Sequence, residues 1–286
     1  MKPSLFEYAA PRKLDEAVAL LAGDPSAMVL AGGQSLVPAL NLRLAAPGRL
    51  VDIQHVEGLH ALSVANGWIS VGAMVRHRTL ELSPEVQRAN PLIRAAMAHV
   101  AHIPIRTRGT VVGSLCHADA AAEMPMLLVL MDGSVVAQGP QGRREIAADA
   151  FFQFHLTTAR APDEIVVEAR FPVLPPGTGW AFEEFARRRG DYALAAVGAL
   201  IRRRRGGPHA VALAACGIAS RPVRLRLAEK ILAENDFSEA ALHAAAEAAR
   251  DSVTAPDDAH ATTAYRRHLL AGLLRRAVAA ALSRAQ

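Results

Sequence analysis

Cysteine is almost absent from this sequence, because Cys116 and Cys216 are the only two among its 286 residues. So small a number excludes a disulfide scaffold, and also a four-thiolate iron–sulfur cluster held by this chain alone. The apolar runs, such as residues 193–201, fall well short of the roughly 20 residues that a membrane-spanning helix needs. Residues 1–8 lack the apolar core of a signal peptide. These absences together predict a cytoplasmic protein with no transmembrane segment.

The signatures of several enzyme classes are also missing. Neither H-E-x-x-H nor G-x-S-x-G occurs, so nothing supports a zinc protease or an α/β-hydrolase nucleophile. His99 and His102 stand three residues apart without a third ligand at metal spacing, and we expect no metal site. The net charge of +5 is modest for this length. Arginine runs at 187–189 and 202–205 leave open the alternative that the protein binds nucleic acid. The competing interpretation is that both runs lie in solvated turns.

The apolar periodicity predicts a chain that opens as a small α/β unit and then becomes richer in strands. Asn66-Gly67 predicts a hairpin turn, because both residues tolerate positive φ. Residues 104–114 are rich in turn signals. The other predicted elements up to residue 171 are helices at 13–22, 36–44, 91–100 and 121–131, and strands at 27–30, 50–53, 62–64, 68–71, 134–137, 143–146 and 164–171.

Residues 172–179 are rich in proline and glycine and predict a linker, beyond which the pattern changes. Apolar strands at 192–202 and 209–218 precede Ala-rich helices, for which Ser238 and either Thr262 or Thr263 are the expected N-caps. We therefore predict two domains. Their bounds are 1–175, with subdomains at about 1–55 and 56–175, and 176–286.

Three glycine-bearing segments have the residues for binding chemistry. A strand enters residues 31–35 (AGGQS) and a helix follows, which is typical of a phosphate cradle, because glycines let backbone N–H groups approach an anion. Residues 107–114 combine further glycines with hydroxyl side chains, and the acids that follow can accept hydrogen bonds from a ribose. In the third segment, at 187–193, Tyr192 follows a Gly-Asp turn and can stack on a flat ring. Each segment also has a purely structural interpretation: a tight strand-to-helix turn at 31–35, helix N-terminal charge for the acids that follow 107–114, and a solvated turn at 187–193, which is favoured for that segment taken alone.

Taken in order, the segments AGGQS, TRGTVVGSLCHADAAAEMP and RRRGDYALAAV resemble the FAD-binding medium subunit of the molybdenum hydroxylases. That family includes aerobic carbon monoxide dehydrogenase, nicotine- and caffeine-type dehydrogenases and the flavin domain of xanthine dehydrogenase. The resemblance covers essentially the whole chain. It implies an α+β fold, in which a two-subdomain FAD-binding domain of the vanillyl-alcohol-oxidase (PCMH) type precedes a C-terminal domain of a three-stranded antiparallel sheet plus helices.

The resemblance also assigns residues to parts of FAD, position by position. Asp119 and Glu123 correspond to the region around the adenosine ribose, His102 and Ile103 to a segment near the flavin ring, and Tyr192 to an aromatic beside the isoalloxazine. No catalytic acid or base is implied, since the protein's task is to position the ring and set its potential. The residues expected around the pyrophosphate are Ala31, Gly32, Gly33, Gln34, Ser35, Thr110, Gly113 and Ser114.

The function that the resemblance implies is electron transfer within a larger enzyme. A large subunit would hold the molybdenum cofactor, a small subunit would hold two [2Fe–2S] clusters, and the assembly would be a dimer of heterotrimers. Electrons would leave through FAD to an external acceptor. A stand-alone FAD-dependent oxidoreductase is the alternative within the same fold. The substrate lies outside this sequence, because the molybdenum subunit would determine it.

Two positions depart from the family's pattern. Val112 occupies the first of two positions that are commonly both glycine, so we expect either an ordinary β backbone there or an altered pyrophosphate contact. Met28 stands where some relatives carry a cation near the first loop, which removes a possible phosphate partner.

Overall fold

The computed structural model describes residues 2–203 and 209–286, and within them the buried apolar side chains form two cores. One core draws on elements from the first helix to the end of the long strand at residue 172, together with Ala196, Ala214 and Cys216 of the C-terminal sheet. The other core lies between the opposite face of that sheet and the C-terminal helices. No helix in the described part of the chain is long and apolar enough to cross a membrane.

The chain opens with a three-stranded parallel sheet in the order β1-β3-β2. Helix α1 packs on it through Ala17, Val18 and Leu21. Helix α2 is shorter than the predicted 36–44, and the chain turns at Arg43 with φ +58°. The elements are β1 (Glu7–Ala9), α1 (Leu14–Ala22), β2 (Ala27–Leu30), α2 (Leu36–Asn41) and β3 (Arg49–Asp52).

A five-stranded antiparallel sheet follows, in the order β4-β5-β10-β6-β7. The predicted hairpin turn is confirmed, with φ +52° at Asn66 and +79° at Gly67. A separate pair, β8 and β9, lies between β7 and β10 in the sequence. The strands are β4 (Leu62–Ala65), β5 (Trp68–Gly72), β6 (Ser134–Gly139), β7 (Gly142–Ala147), β8 (Phe152–Phe154), β9 (Thr157–Thr158) and β10 (Ile165–Pro172).

Short helices connect and cover this sheet. Helix α8 is buried at all eight positions, which confirms the predicted buried helix. The predicted turn-rich segment 104–114 is wrong, because it consists of α6 and α7 separated at Gly109-Thr110. Proline is tolerated in the first turn of α6, where its missing N–H would have no partner. The helices are α3 (His77–Leu82), α4 (Pro84–Ala89), α5 (Pro91–Met97), α6 (Ile103–Arg108), α7 (Val111–His117), α8 (Glu123–Leu130) and α9 (Ala148–Phe151).

The C-terminal part is an antiparallel sheet, in the order β11-β12-β13-β14, covered by three helices. The expected three strands become four, because the two-residue β14 pairs with β13 and is too short to show an alternating pattern. Ser238 and Thr262 are confirmed as N-caps that accept from Ala241 N and Tyr265 N. The elements are β11 (Gly179–Phe185), β12 (Ala195–Arg202), β13 (Ala210–Cys216), β14 (Val223–Arg224), α10 (Arg226–Glu234), α11 (Glu239–Ser252) and α12 (Thr263–Arg284).

Candidate cofactor-binding site

The first two glycine segments are in backbone contact, although more than 70 residues separate them in the sequence. A Cβ atom on Gly32 would lie 2.6 Å from the Arg108 carbonyl oxygen and 2.8 Å from the Thr110 nitrogen. Any side chain at Gly32 would therefore force the two loops apart. The loop at 31–35, which leaves the carboxyl end of β2, and the loop at 108–114 thus form one surface.

Local hydrogen bonds fix the shape of the first loop. Gly33 has φ +71°, a conformation that glycine adopts without strain. The Gln34 side chain donates from Nε2 to the Gly32 carbonyl at 3.1 Å, so the loop is partly closed by its own amide. Ser35 precedes α2 without capping it through its side chain. Met28, on β2, is 40 % exposed.

The second loop is organised by a helix N-cap. Thr110 Oγ1 accepts from the Gly113 N–H at 3.1 Å, and a Cβ on Gly113 would lie 2.5 Å from that oxygen. The Thr110 hydroxyl accepts a hydrogen bond in this cap and can still donate its own proton to another group, since a hydroxyl both accepts and donates. Ser114 belongs to the first turn of the same helix. Thr110 is only 2 % exposed, so the cap orders the backbone of this loop from its buried side.

Val112 is the first departure from the family pattern, and the structure accounts for it. The predicted β backbone is wrong, because Val112 lies in the first turn of α7, where its φ is negative. Its side chain is 2 % exposed and belongs to the main core. Valine at this position therefore faces the interior and needs no positive φ.

Two residues that the sequence analysis missed, Arg76 and His77, form hydrogen bonds with the backbone of the second loop. The Arg76 guanidinium donates to the Arg108 carbonyl, and Arg76 pairs with Thr110 as an isolated β-bridge. His77 N donates to the Gly109 carbonyl at 3.0 Å, and burial lowers the pKa of the His77 ring to about 4. No local motif marks these residues, because their role arises from a contact across some 30 residues of sequence.

The third segment packs against the residues that precede α6. A Cβ on Gly190 would lie 2.6 Å from His102 Cε1 and 2.9 Å from the Ala101 carbonyl oxygen. The exposed fractions are 57 % at Ile103 and 53 % at Tyr192, high values for large apolar side chains. The structure thus brings His102 and the loop of Tyr192 together, with exposed apolar surface beside them.

The two predicted ribose acids occupy different environments. Asp119 forms a turn by accepting from Ala121 N at 2.9 Å. Glu123, the first residue of α8, is only 5 % exposed, and burial together with the charge of Glu184 raises its pKa to about 8. Partial burial, Asp119 and Glu123 also raise the pKa of Tyr192 to about 12. These three predicted residues are therefore close enough to interact electrostatically.

Glu184, on β11, is a second buried acid that the sequence analysis missed. Among the residues that the structure describes, its Oε2 is buried without a hydrogen-bond partner, and its Oε1 lies 3.3 Å from His99 Nδ1. His99 also contacts the Phe182 ring at 5.0 Å, whereas α5 ends at Met97. His99 and His102 therefore do not share a helix face. Among the described residues, no cluster of His, Cys, Asp or Glu could hold a metal ion.

Comparison with known proteins identifies the family of this chain. A family described as FAD binding domain in molybdopterin dehydrogenase matches residues 4–174, and one described as CO dehydrogenase flavoprotein C-terminal domain matches residues 180–281. The 6-hydroxypseudooxynicotine dehydrogenase complex subunit alpha of Paenarthrobacter nicotinovorans is 38 % identical, with 100 % of this chain and 97 % of that protein covered. The carbon monoxide dehydrogenase medium chain of Hydrogenophaga pseudoflava is 34 % identical, and 99 % of each chain is covered.

Solved structures of proteins from this family superpose closely on the chain. A chain of carbon monoxide dehydrogenase from Hydrogenophaga pseudoflava superposes with a TM-score of 0.96 at 35 % identity, and 100 % of both chains is covered. A chain of quinoline 2-oxidoreductase from Pseudomonas putida 86 superposes with a TM-score of 0.93 at 36 % identity, covering 99 % of both chains. The class defined by these matches is the FAD-binding flavoprotein component of an oxidoreductase. Within that class, the chain belongs to the medium-subunit family of the molybdenum hydroxylases.

Proposed function

We propose that this chain binds FAD across the contact between its two glycine loops and serves as the electron-transfer subunit of a molybdenum-containing hydroxylase or dehydrogenase. The pyrophosphate lies against Ala31, Gly32, Gly33, Gln34 and Ser35 on one side, and Thr110, Gly113 and Ser114 on the other. The adenosine ribose lies near Asp119 and Glu123. The flavin ring lies beside His102, Ile103 and Tyr192.

The close approach at Gly32 carries this proposal. Because Gly32 has no side chain, the backbone at the carboxyl end of β2 lies directly against the backbone that leads into the capped end of α7. Backbone N–H groups of such glycine loops can bind phosphate oxygens. The loops therefore fit a pyrophosphate without the cation that Met28 replaces.

We call the proposed path of FAD, from the two glycine loops to Ile103 and Tyr192, the cleft, and its ring end at Ile103 and Tyr192 fits a flat apolar group. Ile103 and Tyr192 expose more than half of their surface, and a flavin ring packed there would remove that apolar area from water. Bound FAD supplies one- and two-electron redox chemistry. The side chains of this cleft bind and orient the cofactor, and none is assigned as a general acid or base.

Partner subunits complete the proposed enzyme. Relatives are named as a complex subunit and as medium chains, which supports an assembly of several chains. We propose that a small subunit with two [2Fe–2S] clusters delivers electrons from a large subunit with the molybdenum cofactor, and that electrons leave through FAD to an external acceptor. The proposed assembly is a cytoplasmic dimer of heterotrimers. The proposed domains, 1–175 of vanillyl-alcohol-oxidase type and 176–286, divide the chain between β10 and β11.

No observation on the described residues favours either alternative, nucleic-acid binding or a stand-alone FAD-dependent oxidoreductase. Arg187, Arg188 and Arg189 precede Gly190, which packs on His102 beside the cleft, and Arg204 and Arg205 lie outside the described residues. A stand-alone oxidoreductase would need its own base over the ring. His102, the histidine at that end, is the N-cap residue of α6 and contacts Gly190.

The test is the cofactor content of the chain purified with its partner subunits. We expect one FAD per chain, released on denaturation and identified by chromatography. Gly33→Val should lose FAD, because a branched side chain strains a residue at φ +71° and approaches Val37 Cγ2. Gly142→Val is the matched control, since Gly142 also has positive φ but lies in the β6–β7 hairpin. A folded complex without FAD, or full FAD in Gly33→Val, would contradict the proposal.

A further inference from the structure

A strained turn lies at the ring end of the cleft. Ala101 has φ +42°, a left-handed conformation that residues with a Cβ rarely adopt. It directly precedes His102, the N-cap residue of α6. Its carbonyl and the His102 ring form the surface against which Gly190 packs. The turn therefore determines where both His102 and the loop of Tyr192 lie.

One buried side chain holds this turn. Arg106 Nη1 donates to the Val100 carbonyl at 2.8 Å and to the Ala101 carbonyl at 3.0 Å. Its Nε donates to Glu81 Oε2 at 3.1 Å, which balances the charge of a residue that is only 8 % exposed. Successive carbonyls of an extended chain point in opposite directions, so both can accept from the single Arg106 Nη1 only because the chain turns sharply here. Arg106 thus bonds to both peptide groups that flank the left-handed residue.

We propose that Arg106 is a positioning residue for the flavin ring: its guanidinium holds Ala101 in the left-handed turn and thereby sets His102 and Ile103 on one side of the ring and the Gly190–Tyr192 loop on the other. This inference rests on the proposed FAD site. It goes beyond that site because Arg106 is buried behind the turn, and its side-chain hydrogen bonds within the described part of the chain go to Glu81, Val100 and Ala101, none of which is assigned to the cofactor. Only a planar fork of donors can serve two carbonyls and a carboxylate in fixed directions, so lysine cannot replace it.

The test compares two arginines that share one carboxylate. Arg106→Lys keeps the charge beside Glu81 but loses the fork, whereas Arg78→Lys alters the other arginine on Glu81, whose Nη1 lies 2.9 Å from Oε2. Each full-length variant is depleted of FAD and titrated with FAD and with ADP, which has the pyrophosphate end but no ring. The midpoint potential and visible circular dichroism of bound FAD report on the ring itself.

For Arg106→Lys we expect about tenfold weaker FAD binding, because only about a tenth of the molecules would hold the turn in its binding-competent form, together with unchanged ADP binding and a shifted potential. Arg78→Lys should match the wild type in all three measurements. Ala101→Val, which leaves the buried ion pair intact, should reproduce the ring effects because a β-branched residue disfavours the left-handed turn. Ala101→Gly combined with Arg106→Lys should recover part of the lost FAD affinity, since glycine adopts the turn without strain.

Wild-type FAD affinity and potential in both Arg106→Lys and Ala101→Val would overturn the inference. Equal losses of ADP and FAD binding with a lower melting temperature would also overturn it, because they would identify a general folding role. A wild-type chain that binds ADP and FAD equally weakly would instead contradict the proposed function.

Discussion

At the scale of single residues, the most unusual group is the Glu123 carboxyl. It comes from the first turn of α8 and is buried near Glu184 of β11, so one acid from a helix and one from a strand face the same interior region. Tyr192, Asp119, Cys216 and, through Glu184, His99 are the other titratable groups around it. Burial and the negative charges of Glu184 and Asp119 disfavour the ionised form of Glu123.

The raised pKa of Glu123 predicts a pH-dependent stability. Because the folded chain binds this proton more tightly than the unfolded chain, stability falls as the pH rises from about 4.5 towards about 8. The limit is about 1.4 kcal/mol per pH unit. In urea unfolding of the FAD-free chain, Glu123→Gln should flatten this slope and exceed the wild type near the upper end. Glu57→Gln, at an exposed acid, should keep the wild-type slope. An unchanged slope in Glu123→Gln would disprove the assignment.

Tyr192 provides a second prediction at this scale. Removing a half-exposed ring costs little core packing but removes the surface proposed for the isoalloxazine. Tyr192→Ala should therefore change the absorption spectrum or midpoint potential of bound FAD while the melting temperature stays within a few degrees. Tyr265→Ala is the control, since Tyr265 is 41 % exposed and contacts Phe185. Identical flavin properties in both variants would remove Tyr192 from the ring site.

At the scale of elements, the short helix α7 gives regular structure to the second glycine segment of the candidate FAD site. Thr110 caps α7, just as Thr262 caps the much longer α12. Thr110→Ala and Thr262→Ala should each cost about 1 kcal/mol of stability in urea unfolding, the usual loss for an N-cap. Only Thr110→Ala should weaken FAD binding, as measured by fluorescence titration. Equal affinities in the two variants would mean that the α7 cap is purely structural.

At the scale of the whole molecule, Arg266 connects α12 to the strands that flank the cleft. It is 4 % exposed and donates to the Leu194 carbonyl at 2.7 Å and the Gly217 carbonyl at 2.8 Å. Gly217 N in turn donates to the Ala120 carbonyl, in the turn between Asp119 and Glu123. The C-terminal helix is therefore linked by hydrogen bonds, through Gly217, to the turn that holds Asp119 and Glu123.

Loss of this arginine should destabilise the chain strongly. Arg266→Met leaves two buried carbonyls without a charged donor, and we expect a loss of about 3 kcal/mol or more in urea unfolding. Arg267→Met, at the neighbouring and partly exposed position, removes donors to the Val253 carbonyl alone and should cost about 1 kcal/mol. Similar losses in the two variants would show that the connection through Arg266 contributes little.

Much of the fold follows from local sequence, because its signals act within a few residues. The Asn66-Gly67 turn, the continuous apolar run of α8 and the Ser238 and Thr262 caps were all readable, since each depends on the chemistry of adjacent positions. The segment at 104–114 was not, because turn-forming residues also occur at helix caps. The two-residue β14 was also missed, since its pairing exists only beside β13.

Three glycine-bearing segments in their order along the chain were sufficient to identify the family, and with it the cofactor and the class of reaction. How those segments meet depends on the folded chain. The contact at Gly32, the support from Arg76 and His77, the burial of Glu123 near Glu184 and the turn held by Arg106 join distant or differently folded parts of the chain. Such contacts arise from packing, and no local pattern of residue types encodes them.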